Sequence, residues 1–264
     1  MSASSKWFIV LAFLLALFAL VASTPAYAYT DAPPPEQTPL VLAPDAPLPL
    51  NHFWCYQITT SQPVSVSVKT QDQFDRRPKK TRVGAAVRLC NPVRKVHNAK
   101  TTEIKYPNDH LLLYDIGDAV TPPVLNVQVR NQFGIQQLAV YRPAEILMVP
   151  TRKRPHPAPQ NTDHFKCYRV EGQPVNQTVG LQDQFQANNA ITVMQPFLLC
   201  NPTRKYHKDR WTEVRNKDAH LVCYIVTTTQ FSVTRKTLNQ FRRETITTTQ
   251  ADMLCVPSRK KVLN

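Results

Sequence analysis

Two triplets of histidine and glutamate recur at one spacing: His97, Glu103 and His110, then His207, Glu213 and His220. Imidazole and carboxylate suit zinc, copper or nickel, and a His–Glu pair can move protons. The spacing lacks the fixed geometry of a helical His-Glu-x-x-His, and duplication alone would reproduce it. A metal-dependent secreted enzyme built on these segments is thus an alternative reading, and no cofactor is expected. No Gly-x-Ser-x-Gly elbow or phosphate-cradling Gly-rich loop occurs in the chain beyond the N-terminal export segment. The leading expectation is a protein that is not an enzyme.

Basic residues offer a second chemistry. An Arg-Lys pair recurs four times, as Arg94 and Lys95, Arg152 and Lys153, Arg204 and Lys205, and Arg259 and Lys260. Neighbouring segments add Arg76, Arg77, Lys79, Lys80, Arg82, Arg242 and Arg243, and the whole chain carries a formal charge of +14. Such a field favours anionic partners, above all an acidic polysaccharide or another anionic surface polymer. Aromatic interleaving of the kind that stacks bases is missing, so no specific nucleic acid is expected. The plainer reading makes these pairs solvated turn residues.

The elements that position these groups come from an internal repeat. Unit one opens on His52-Phe-Trp-Cys55-Tyr56, passes Asp72-Gln73-Phe74 and closes on Leu89-Cys90-Asn91-Pro92-Val93-Arg94-Lys95. Unit three repeats it as His164-Phe-Lys-Cys167-Tyr168, Asp183-Gln184-Phe185 and Leu199-Cys200-Asn201-Pro202-Thr203-Arg204-Lys205. Units two and four are a second type. They open at His110 and His220, carry Asn131-Gln132-Phe133 and Asn239-Gln240-Phe241, and close at Pro150-Thr151-Arg152-Lys153 and Pro257-Ser258-Arg259-Lys260. The opening histidines stand 58, 54 and 56 positions apart, in the order A-B-A-B. A histidine repeated once per unit reads as architectural.

Alternation such as Val64, Val66, Val68 against Ser65, Ser67, Lys69 marks half-buried strands, about three or four per unit. The expected class is all-β: two tandem antiparallel β-sandwich or barrel-like domains, each of two homologous units, at 52–153 and 164–261. Residues 1–28 read as a cleaved signal peptide, with Lys6 ahead of an apolar run and Ala26-Tyr27-Ala28 at the cleavage site. The run is too short to span a bilayer, so no membrane span is expected after cleavage. Seven prolines make 29–51 a Pro-rich tether, and 154–163 is a Pro-rich spacer. The chain ends soon after unit four, so no appended catalytic domain is expected.

Export places the six cysteines in an oxidising compartment, where disulfides form. Unit two has Leu113 and Met148 where the other units carry their two cysteines, and partners lost together were partners. This pairs Cys55 with Cys90, Cys167 with Cys200, and Cys223 with Cys255. Each closes a loop of about 35 residues, worth roughly 3.5 to 4 kcal/mol in the chain-entropy account.

The motifs together resemble an uncharacterised bacterial secreted repeat family, a domain of unknown function. The resemblance implies a secreted, periplasmic or cell-envelope setting and brings neither an activity nor site residues. The expected role is a secreted or envelope-associated structural or binding module, with anionic-polymer binding through the Arg-Lys pairs as the first alternative.

Overall fold

Residues 50–59, 61–117 and 124–263 are described in a computed structural model of the chain. The expected signal peptide and all but the end of the expected tether lie outside them. Unit one supplies β1 (His52–Ile58), β2 (Val66–Gln71), β3 (Lys79–His97) and β4 (Lys100–Thr102). Unit two supplies β5 (His110–Gly117), β6 (Leu125–Asn131), β7 (Gly134–Val140) and β8 (Ile146–Lys153). From unit three come β9 (His164–Glu171), β10 (Gln177–Gln182), β11 (Ala187–His207) and β12 (Arg210–Thr212). Unit four contributes β13 (His220–Gln230), β14 (Thr234–Leu238) and β15 (Arg243–Val262). The all-β, antiparallel expectation holds, and no helix occurs among the described residues.

Each unit lays its opening strand against its closing strand: β1 on β3, β5 on β8, β9 on β11 and β13 on β15. Four further antiparallel ladders join the units, β3 to β5, β8 to β9, β11 to β13 and β15 back to β1. The result is one closed ring of eight strands. Closure removes the edges an open sheet would expose, and eight strands leave an interior just wide enough for side chains. Phe53, Leu111, Phe165 and Leu221 fill it together with all six cysteines, Leu113 and Met148.

The three disulfides join the pairs expected from the repeat. Each links residues directly opposite one another on adjacent strands, and Leu113 faces Met148 at the corresponding place in unit two. The bridges sit inside the ring: Cys55 Sγ lies 3.9 Å from Cys255 Sγ, and Cys200 Sγ lies 4.0 Å from Cys223 Sγ. Leu and Met fit unit two because that position is plain apolar core.

Strands β3, β11 and β15 run for 19, 21 and 20 residues because each serves twice. Their first halves pair with β2, β10 and β14 to make arms; their second halves enter the ring. In unit two the arm is the hairpin β6–β7, separated from β8 by a break at 141–145 that contains Pro143. Arms fold over the outside of the ring, where Tyr56, Tyr114, Tyr168 and Tyr224 are buried beneath them.

Each arm docks on the diagonally opposite unit. Strand β2 pairs with β11 at Arg204–Tyr206, and β10 pairs with β3 at Arg94–Val96. Strand β6 pairs with β15 at Arg259–Val262, and β14 pairs with β8 at Arg152–Lys153. The division into two domains, 52–153 and 164–261, is therefore corrected. The described residues form one compact unit, since ring closure and every diagonal arm contact cross that boundary. The segment 154–163 links two ring neighbours, β8 and β9, instead of separating two domains.

Candidate functional site

The Asp-Gln-Phe and Asn-Gln-Phe motifs form the arm tips. Asp72, Asn131, Asp183 and Asn239 each accept, through Oδ1, the backbone N–H two residues on, which folds the tip into an Asx turn. The other side-chain atom reaches the opposite unit. Asn131 Nδ2 donates to Tyr224 Oη and Ser258 Oγ, and Asn239 Nδ2 donates to Tyr114 Oη and Thr151 Oγ1. In the A units the polarity is reversed: Asp183 Oδ2 accepts from Tyr56 Oη and Asn91 Nδ2, and Asp72 Oδ2 accepts from Asn201 Nδ2. The four phenylalanines Phe74, Phe133, Phe185 and Phe241 stand edge-on to Tyr168, Tyr224, Tyr56 and Tyr114.

The Arg-Lys pairs are the docking strips for these arms, which corrects the reading of them as solvated turn residues. Lys95, Lys153 and Lys205 are each 1% exposed, and Lys260 is partly buried. Every one lies over the phenylalanine of the next unit's motif: Lys95 over Phe133, Lys153 over Phe185, Lys205 over Phe241 and Lys260 over Phe74. Burial, the largest cause in each case, lowers the amines, to about 8 for Lys95 and Lys205 and to about 7 for Lys153 and Lys260. Of the arginines, Arg94 pairs with Glu103 at 3.0 Å, and Arg204 bonds Gln71 and lies 3.9 Å from Glu213. Arg259 is part-buried opposite Arg130, and Arg152 donates to the His156 carbonyl.

The histidine–glutamate triplets do not converge. Glu103 and Glu213 turn to Arg94 and Arg204, while His97 and His207 lie edge-on to Phe133 and Phe241. His110 and His220 are buried in the sheet, and no group of three His, Cys, Asp or Glu among the described residues forms a metal-ligand set. This corrects the metal alternative: the spacing is a product of duplication.

The opening histidines are buried and neutral. His52 Nε2 meets Gln132 and His164 Nε2 meets Gln240, whereas both ring nitrogens of His110 and Nδ1 of His220 have no protein partner. Burial, reinforced by a neighbouring lysine, lowers His52 and His164 to about 3 and His110 to about 2, and sets His220 well below its ordinary value. Unfolded, these imidazoles titrate near 6.5 and so bind more protons than in the fold as pH falls through the range between. Their stabilisation is present above 6.5 and lost on the way to about 3, while the raised carboxyls of Asp72 and Asp183 act in the opposite sense. We expect Tm to fall between neutral pH and about pH 4, with His164→Gln showing a shallower fall in thermal scans. A Tm that is flat or rises over that range would contradict this account.

One surface feature stands out chemically. A cleft of about 550 Å³ is lined by Arg152, Arg154, Pro155, His156, Thr234, Arg235 and Lys236, with no carboxylate. It forms where the turn after β8 meets β14, joined by the Arg154 N–H to the Lys236 carbonyl. His156 is lowered by burial and then by Lys153 and Arg235, the mark of a positive field. A second cleft of about 770 Å³ includes Lys205, Lys208, Arg210, Trp211 and Arg215, but Glu213 also lines it. Of the eight residues expected to bind anions, only Arg152 lines the acid-free cleft. Arg154, Arg235 and Lys236 went unnoticed in sequence, since strand pairing alone brings positions 80 apart together.

A family model described as a repeat of unknown function (DUF7450) matches the chain twice, over residues 34–142 and 119–257. No curated protein and no solved structure matches it.

Proposed function

Because the chain belongs to the family of the repeat of unknown function (DUF7450), which carries no assigned ligand, we propose from its geometry that it is a non-enzymatic secreted or envelope-associated binding module for an anionic polymer. The observation that carries this is the acid-free cleft, where Arg152, Arg154, Arg235 and Lys236 converge without a competing carboxylate. A polyanion gains from a concave positive site in proportion to how little opposing charge it meets. Three buried disulfides and the signal-like N-terminus support an oxidising destination outside the cytoplasm.

Retention on a heparin column tests the reading. We expect binding at low salt that weakens steeply as salt rises. Arg154→Glu with Arg235→Glu should reduce affinity about tenfold or more, because exposed charges near an anionic surface each contribute on the order of 1 kcal/mol. Equal retention of the double variant and the parent would sink the proposal, as would passage through the column at low salt.

A further inference from the structure

The buried lysines are not equivalent. Lys153 Nζ donates to Asn91 Oδ1 at 2.8 Å, and Asn91 Nδ2 donates to Asp183 Oδ2 at 3.0 Å. Half a turn of the ring away, Lys260 Nζ donates to Asn201 Oδ1 at 2.7 Å, and Asn201 Nδ2 donates to Asp72 Oδ2 at 3.0 Å. Both asparagines are fully buried. Each constellation draws on three units: an amine from a B unit, a carboxamide from the preceding A unit and a carboxylate from the opposite A unit's arm tip. From this juxtaposition we propose that the protein crosslinks itself, forming an isopeptide bond between Lys153 and Asn91 and a second between Lys260 and Asn201.

The chemistry is transamidation and needs no co-reactant. The neutral lysine amine attacks the asparagine Cγ, to which it is already adjacent through its hydrogen bond to Oδ1. A C–N bond forms, the Cγ–Nδ2 bond breaks, and Nδ2 departs as ammonia. The proton lost by the attacking amine passes to the aspartate oxygen, which touches Nδ2, and from there to the leaving nitrogen. A primary amide and an amine become a secondary amide and ammonia, with no change of oxidation state.

The surroundings suit each role. Attack requires an uncharged amine; burial lowers Lys153 and Lys260 to about 7, so much of the population is neutral at physiological pH. A proton relay requires a carboxyl that holds a proton readily, and burial raises both Asp183 and Asp72, though Lys166 partly offsets this at Asp72. Holding the three groups in place replaces a bimolecular encounter with a positioned one, the largest advantage a fold can give this otherwise slow reaction.

The same ring contains its own negative control. Rotated by one unit, the positions become Lys205, Val149 and Asn239; rotated by three, Lys95, Val256 and Asn131. Lys95 and Lys205 are as buried as Lys153, yet valine offers no amide carbon and asparagine no proton relay. Alternation of unit types thus yields two competent sites and two inert ones.

Peptide mapping of the reduced, full-length secreted protein decides the matter. We expect two branched peptides, one joining the segments of Asn91 and Lys153 and the other those of Asn201 and Lys260. Each should show a deficit of one ammonia, about 17 Da, per bond. Asp183→Asn should abolish the first and leave the second, and Asp72→Asn should do the reverse. Asparagine matches aspartate in size, and the surviving crosslink reports a folded chain. Lys153→Met, which removes the nucleophile and keeps the carboxylate, should also lose only the first. Linear peptides with unmodified Asn91, Lys153, Asn201 and Lys260 would overturn the proposal; a bond that persists in both aspartate variants would overturn the role given to the carboxylates.

Discussion

Neither half of the chain, expressed alone as residues 29–153 or 164–264, should yield a folded monomer. Each half retains two of the four units but opens the ring at two seams, exposing β1 and β8 in one and β9 and β15 in the other. It also loses every diagonal partner, so the arms of β2 and β6 have nothing to dock on once β11 and β15 are gone. Two unpaired edges and an uncovered apolar face, including Tyr56 and Tyr114, are together incompatible with a stable soluble monomer. Light scattering and far-ultraviolet circular dichroism should find either an unfolded chain or a dimer, with mixing of the halves restoring a one-to-one complex. A half that melts cooperatively as a monomer would show that the seams and arms matter far less than their geometry implies.

A second large effect is expected from one disulfide. Cys167→Ala with Cys200→Ala removes a crosslink between residues separated by 33 positions. The chain-entropy estimate is a loss of about 4 kcal/mol, with a further cost from the space left by two buried sulfurs. For a chain of this size the Tm should drop on the order of 10 °C. Because unit two manages with leucine and methionine at this place, Cys167→Leu with Cys200→Met should recover part of the loss. Guanidinium titration of the three proteins would show it. A loss below about 1 kcal/mol for the alanine pair would mean that the ring already restricts the unfolded chain or that strain in the bridge cancels its benefit.

How far the sequence could be read depended on whether the deciding signal was local. Disulfide partners were legible because unit two lost Cys-equivalents at 113 and 148 together, and the structure places those two residues face to face. Strand character was legible from alternation around Val66. The partner of each arm was not, because β2 pairing with β11 over more than a hundred residues leaves no mark in the periodicity of either. The lysines were misjudged for a different reason. Next to proline and arginine, Lys95 looks like a turn residue, yet stepping by two through Leu89, Asn91, Val93 and Lys95 gives one continuous strand face, buried throughout. The candidate cleft was illegible because Arg154 and Arg235 meet only when β14 reaches β8.

The reversed polarity of the arm tips also limits how this gene product can grow. An aspartate tip accepts from a carboxamide N–H2 and an asparagine tip donates to hydroxyls, so a B arm laid on an A strand would set one amide N–H2 against another. Opposite units must therefore be of the same kind. Adding one unit, or an extra A-B pair, would turn the ring so that unlike units face each other across it. Four is thus the smallest alternating number that satisfies the rule and eight the next, so lengthening by one A-B pair should cost the diagonal docking of every arm.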